Sequence, residues 1–285
     1  MEGFEAHRPQ LFGIAYRMLG SAADAEDVVQ DAYLKWQSAP RDDVRSERAF
    51  LSTMVTRLCL DQLASARVRR EKYVGPWLPE PVRTEFGSAR ELQSADPPDL
   101  ESISLAFLVL LQSLTPLERA VYLLHEVFDY SHAEISQILG REEASCRQLL
   151  HRAKSSVTAG RPRFAPDKQA HQNLLGKFMM AIGAGDLDGL KKLLANDVTA
   201  WSDGGGKASA ATQALHGVDH VARFYHGLGK KVPPELSFAV EEINGWPALV
   251  LRNSEGVETV INLETDGQLI YGIRAVRNPD KLARL

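Results

Sequence analysis

The apolar residues of this chain change period along its length. From Leu11 to Leu63 and again from Leu100 to Val157 they recur at helical spacing, and from Leu236 to Val276 they alternate. One layer of structure cannot satisfy both periods, so the chain needs a helical part and a separate sheet part. Leu11, Ile14, Ala15 and Met18 line a first helix that Gly20 stops. Ser21 then caps a second helix, a capping-box-like start with Asp24 three residues on in place of the usual Glu. Its buried stripe is Ala25, Val28, Val29, Ala32 and Trp36; Asp24, Asp27, Gln30 and Asp31 take the opposite face. Gln37 to Arg45, holding Pro40, reads as a loop. A third helix follows from Glu47 to about Ala66, with Phe50, Leu51, Met54, Val55, Leu58 and Leu63 inward, and ends in Arg67-Val68-Arg69-Arg70.

Pro76, Pro79, Pro81, Pro97 and Pro98 break the helical pattern over 73–99 and make it a linker. Trp77-Leu78-Pro79-Glu80-Pro81 within it is too apolar for an idle tether and is expected to dock on the C-terminal part of the chain, near Asp203–Lys207 and Asn278–Leu282. Helical spacing resumes at Leu100. Thr115-Pro116-Leu117-Glu118 is a helix start with cap, first-turn proline and box partner. Ser131 caps a short helix, Gly140 makes a turn, and a helix from about Glu142 to Val157 carries Arg, Gln, Ser and His. Two helices joined at a glycine, the second polar in this way, predict a helix-turn-helix. Its inner face is expected to hold Ala144, Leu149 or Leu150, and Ala153.

After Arg161-Pro162-Arg163 the texture changes. Helices are expected around Leu174–Ile182, Leu187–Leu194 and Val218–His226. A meander follows, with turns at Asn244-Gly245, Ser254-Glu255-Gly256 and Asp266-Gly267. The length of 285 residues fits two or three domains. The only cysteines, Cys59 and Cys146, both lie in helical patterns, which points to a reduced compartment rather than a disulfide framework. No apolar run is long enough to span a bilayer, and the acidic start lacks the basic region of a secretory signal. The net charge of −4 argues mildly against a simple DNA-coating protein. The local clusters Arg67, Arg69, Arg70, Lys72 and Arg147, Arg152, Lys154 argue the other way.

Residues 4–72 resemble region two of the extracytoplasmic-function (ECF) sigma factors of bacterial RNA polymerase. The resemblance rests on Asp24-Ala25-Glu26-Asp27-Val28-Val29-Gln30-Asp31 through Trp36 and on Arg48-Ala49-Phe50-Leu51 through Asp61. Residues 105–157 resemble region four, from Leu114-Thr115-Pro116-Leu117-Glu118-Arg119 to Leu150-His151-Arg152-Ala153-Lys154. Residues 167–285 look like a SnoaL-like domain. Trp77 to Pro81, Asp203-Gly204-Gly205-Gly206-Lys207 and Asn278-Pro279-Asp280-Lys281-Leu282 resemble motifs of the SigJ-type subgroup, which carries this extension. The implied fold is multidomain: two all-α sigma domains (1–72 and 105–160), a linker (73–104) and an α+β cone-shaped domain (167–285).

The resemblance implies partners. Asp24, Asp27, Gln30 and Asp31 would meet the β′ subunit of core RNA polymerase, with β also a partner. Arg48, Thr56, Arg57, Arg67, Arg69 and Arg70 would hold the melted minus-ten strand through its phosphates. Trp36 and Phe50 sit on apolar stripes and read as core. Ser145, Arg147, Gln148, His151, Arg152 and Lys154 would face the minus-35 major groove. Glu142 and Glu143 favour the helix dipole but repel phosphate.

In the C-terminal part, Asp203 tempts as a general base and the three glycines as an anion nest, though a flexible turn between strands is the plainer reading. His216 and His220 have a spacing that can hold a metal, but no third ligand is evident. No nucleophile–base pair or phosphate loop suggests an enzyme, and no cofactor is implied. The expected protein is a cytoplasmic, promoter-directing subunit regulated in cis, with an unknown small-molecule ligand as a possible partner of the last domain. The rivals are a one-component helix-turn-helix regulator and a SnoaL-like enzyme with a regulatory head.

Overall fold

The structure is a computed structural model. It describes residues 2–40, 44, 46–71, 73–84, 103–160 and 167–285, with only the backbone at 2 and 66–71. Lys72, the prolines at 97 and 98, the helix start at Leu100 and the boundary Arg161-Pro162-Arg163 lie outside the described residues. The chain divides into two units, Met1–Lys72 with Thr84–Arg161, and Tyr73–Arg83 with Pro162–Leu285.

The first unit is helical. Helices α1 (Glu2–Leu19), α2 (Ala22–Ser38) and α3 (Glu47–Glu71) pack on one another. Ser21 caps α2 through the Asp24 amide at 3.1 Å, and the expected stripe Ala25, Val28, Val29, Ala32, Trp36 is buried. Helix α3 runs past Ala66. Its fully buried stripe is Leu51, Ser52, Val55, Thr56 and Cys59. Burial pushes the Cys59 thiol far up, so it behaves as a small core residue.

Helices α4 (Leu105–Gln112), α5 (Pro116–Glu126), α6 (His132–Leu139) and α7 (Glu143–Gly160) complete the unit. Thr115 and Ser131 both form full capping boxes, with Glu118 and Glu134. Gly140 ends α6 at φ 62, a left-handed conformation in which glycine has no steric penalty. Arg119 donates to the Met18 carbonyl at 2.5 Å, and Ser52 and Tyr130 share a buried hydrogen bond of 2.7 Å. These bonds tie α4–α7 to α1–α3.

The second unit sets helices against a six-stranded sheet. Its elements are α8 (Lys168–Gly183), α9 (Leu187–Leu193), β1 (Leu194–Asp203), β2 (Leu215–His216), α10 (Val218–Gly229), β3 (Ser237–Ile243), β4 (Trp246–Asn253), β5 (Gly256–Thr265), β6 (Ile270–Val276) and α11 (Pro279–Leu282). The strand order is β2-β1-β6-β5-β4-β3. The expected meander is β3–β6, and the Asn244-Gly245 turn has both residues at positive φ. Strand β1 was not anticipated. It pairs in parallel with β6, setting Asp203 opposite Val276. Leu174, Leu175 and Phe178 of α8 and Val221 and Tyr225 of α10 pack on Val198, Leu249, Ile261 and Ile273 of the sheet.

Candidate nucleic-acid interface and the linker clasp

On α2, Asp27, Gln30 and Asp31 are exposed, while Asp24 is partly buried beside its cap. Leu34, one turn beyond Gln30 and Asp31, is 55% exposed. Leu34 thus sits on the same exposed side of the helix as these carboxylates.

The cations expected on melted DNA are engaged differently. Arg48 donates to the Phe128 carbonyl at 2.8 Å and lies over the Tyr130 ring at 4.6 Å. Arg57 donates to the Ile138 carbonyl at 3.2 Å. Both therefore spend donors on backbone at or beside α5 and α6. Thr56 corrects the expectation. It is fully buried and its hydroxyl has no partner among the described residues, because it shares the inward stripe of α3 with Ser52 and Cys59. The side chains of Arg67, Arg69 and Arg70, like part of the loop at 41–43 and 45, lie outside the described residues. Trp36 is buried, so it is core as read; Phe50 packs on it with ring centroids 5.7 Å apart but is itself only half-buried.

On α7 the buried face is Cys146, Leu149, Leu150, Ala153 and Val157. Ala144, expected inside, is exposed, and Cys146 takes its place. The face opposite the core is then Ala144, Gln148, His151 and Ser155, all exposed and none a permanent cation. The cations flank this ridge. Arg147 pairs with Glu143, Arg152 reaches Glu118 at 3.2 Å, and Lys154 reaches Glu126 at 2.9 Å. Ser145 is half-buried on the Arg152 flank.

In the second unit the linker and the two C-terminal motifs come together. Asp203 is fully buried. It accepts from the Tyr73 hydroxyl at 2.5 Å, from the Leu78 amide at 2.7 Å and from Lys281 Nζ at 2.7 Å. Lys281 also donates to the Leu78 carbonyl, and its ammonium lies 4.0 Å from the Trp77 ring centroid and 5.1 Å from that of Tyr73. Asn278 donates to the Tyr73 hydroxyl at 2.9 Å. Burial first, and then the Asp203 hydrogen bond, push the Tyr73 phenol well above its ordinary range. Leu78, Pro79, Glu80, Pro81 and Val82 are buried. Val82 exchanges two hydrogen bonds with Asn244, at 3.0 and 2.8 Å.

Asp203 is thus a buried anchor, not part of a flexible turn. Gly205 shows why glycines follow it: a Cβ there would come within 2.3 Å of the Asn278 amide nitrogen. Lys207 pairs with Asp280 at 2.6 Å, so its cation is committed within the unit. The His216 ring faces Thr199 and the His220 ring faces the His216 carbonyl, and the described residues contain no group of three metal-ligating side chains. Sequence reasoning missed Tyr73 and Asn244. Tyr73 stood at the edge of the proline-rich stretch, and Asn244 was read only as a turn residue.

A helix-turn-helix, an acidic helix and a linker held by an α+β domain are together the arrangement expected of a DNA-directed transcription protein. Comparison with known proteins agrees. Sigma-70 region 2 matches residues 4–69, and Sigma-70, region 4 matches residues 104–157. The chain is 43% identical over 290 residues to the ECF RNA polymerase sigma factor SigJ of Mycobacterium tuberculosis strain H37Rv, covering 98% of this chain and 91% of that protein. It is 29% identical over 283 residues to the probable ECF RNA polymerase sigma factor SigI of the same strain, covering 98% and 93%. The crystal structure of Mycobacterium tuberculosis SigJ matches with a TM-score of 0.74 at 35% identity, over 99% of this chain and 98% of that one. This chain belongs to the ECF RNA polymerase sigma factor family. It is an alternative sigma factor, which works with RNA polymerase to start transcription at promoters. Among the described residues no helix is long and apolar enough to cross a membrane.

Proposed function

We propose that this sigma factor is regulated in cis: the C-terminal α+β domain holds the linker between regions two and four and so biases how the promoter-reading parts are presented. The clasp on Asp203 carries this reading. In the sequence the linker joins the minus-ten-reading part to the minus-35-reading part, and its residues Tyr73 and Leu78 bond to a buried carboxylate of the extension. Taking that carboxylate out of water unpaired would be costly, so the clasp is not a casual contact.

In this reading Asp24, Asp27, Gln30 and Asp31, with Leu34, meet the β′ subunit of core polymerase, where charge complementarity steers association. Arg48, Arg57, Arg67, Arg69 and Arg70 hold melted minus-ten DNA. Arg48 and Arg57 each give a donor to the carbonyls of Phe128 and Ile138 respectively, which orders the side chain, and a guanidinium has five donors in all. Gln148 and His151 read minus-35 base edges, and the flanking cations take phosphates. The domains run 1–72, 73–104, 105–160 and 167–285, and the protein acts in the cytoplasm beside polymerase. The use of Asp203 by Tyr73, Leu78 and Lys281 supports a structural role over a catalytic one. A small-molecule ligand of the C-terminal domain would act by tightening or loosening this clasp.

The test is run-off transcription with core polymerase, comparing the full chain, Asp203→Ala and a chain ending near Pro162. Asp203→Ala and the truncation should both alter promoter-dependent output while core pull-down is unchanged. Equal output from all three would remove the regulatory role.

A further inference from the structure

Glu118 and Glu126 lie on α5, eight positions apart, and each reaches a cation of α7: Glu118 to Arg152 at 3.2 Å and Glu126 to Lys154 at 2.9 Å. The pairs bracket the recognition helix on its two flanks. In both, the carboxylate is the less exposed partner, 15% against 64% for Glu118 and Arg152, and 28% against 47% for Glu126 and Lys154. Each carboxylate also has a contact besides its cation. Glu118 Oε2 accepts from the Thr115 amide at 3.1 Å and the Thr115 hydroxyl at 2.7 Å in the capping box. Glu126 Oε1 lies 2.6 Å from His125 Nδ1. Ordinary surface ion pairs lose much of their value in ordering two long side chains. Glu118 is already ordered by its capping box, so there only the cation arm has to settle, and Glu126 shares its Oε1 between His125 and Lys154. The third cation, Arg147, is matched by Glu143 on its own helix.

We propose that Glu118 and Glu126 are positioning residues for promoter binding: each holds one flanking cation of α7 against α5, so that the helix meets DNA with its neutral ridge and takes up phosphate only by exchanging a carboxylate for it. The inference rests on the reading of α7 as the DNA-reading helix. Its physical content is a restraint on sequence-independent affinity, which comes mainly from phosphate neutralisation and counterion release. With Arg147, Arg152 and Lys154 each matched to a carboxylate, the flanks offer little free positive charge until DNA displaces the partner.

The test uses the full chain and a short mixed-sequence duplex DNA, titrated over a range of salt. Glu118→Gln and Glu126→Gln are the variants; glutamine also serves at the box position, so the cap of α5 survives. Each should tighten binding by about twofold to fivefold, the range expected for losing an exposed ion pair. Each should also steepen the salt dependence by up to about 0.9 in log–log slope. The deciding arm is Glu126→Gln in a Lys154→Ala background. Because Glu126 acts through Lys154, the gain should vanish there. A gain that persists would show plain charge repulsion and overturn the inference. So would unchanged binding by both glutamine variants while Lys154→Ala weakens it. If Arg152→Ala and Lys154→Ala leave binding unchanged, or no variant binds DNA, the reading of α7 falls and the inference falls with it.

Discussion

Lys281 and Asp203 form a buried pair, with side chains 11% and 0% exposed, and removing one charge strands the other. Asp203→Asn keeps the shape and removes the negative charge that Lys281 Nζ meets at 2.7 Å. Loss of one partner of such a pair costs about 3–5 kcal/mol. Urea unfolding of the full chain should show a loss of that size, largely recovered by adding Lys281→Met. A second residue-scale prediction concerns His171. It is buried against Trp246, ring centroids 5.6 Å apart, and burial pushes its imidazole down to about 4. The folded chain keeps it neutral, while the unfolded chain protonates it below its ordinary value of about 6.5. Its contribution to stability is therefore complete above about pH 6.5, falls as pH drops, and levels off below about pH 4, a change of about 3 kcal/mol. His171→Phe should flatten that part of the stability–pH curve; an unchanged curve would assign the slope to other groups. The role of His171 was not legible in the sequence. For Asp203 the place was legible and the chemistry was not: the apolar Trp77 to Pro81 motif pointed to docking near Asp203–Lys207 and Asn278–Leu282, but a carboxylate before three glycines reads as a turn rather than as the buried acceptor for Tyr73 and Leu78.

Among the elements, those with local signals were read well. Ser21, Thr115 and Ser131 announced helix starts, Gly140 a stop, and Asn244-Gly245 a hairpin. Strand β1 was not read because Leu194–Asp203 holds few β-branched or aromatic residues, and its pairing with β6 is parallel and distant in sequence. On α7 the helical period placed one face inward, but Ala144 was assigned to it and Cys146 was not; the phase is set by packing against α5 and α6. The corrected phase sharpens what mutation should do. Gln148→Ala, on the ridge, should relax preference at one minus-35 base pair by about 1–3 kcal/mol. Lys154→Ala, on the flank, should weaken all sequences about equally. Competition binding with specific and scrambled duplexes separates the two, and equal effects on both duplexes from both variants would deny base reading by this helix. On α2, joint charge reversal at Asp27 and Asp31 should weaken core polymerase binding and leave unfolding unchanged, since both side chains are exposed. Unaltered polymerase affinity in a pull-down would remove this face from the interface.

For the whole molecule, family membership was legible because two motif-rich helical stretches occur in one order on one chain. How the linker is held was legible only in outline. The apolar Trp77 to Pro81 motif signalled docking, but the depth of burial and the role of Asn244 needed the fold. The central claim is that the extension grips the linker through Asp203, and the grip is readable at two amides. The Leu78 amide donates to the Asp203 carboxylate and the Val82 amide to the Asn244 side chain. Hydrogen exchange on the full chain tests this most directly. Both amides should exchange slowly in the wild type. In Asp203→Ala, Leu78 should lose its protection outright and Val82 should follow as the linker frays, while amides in α5 and α7 keep theirs. Identical linker exchange in the two proteins would contradict the account.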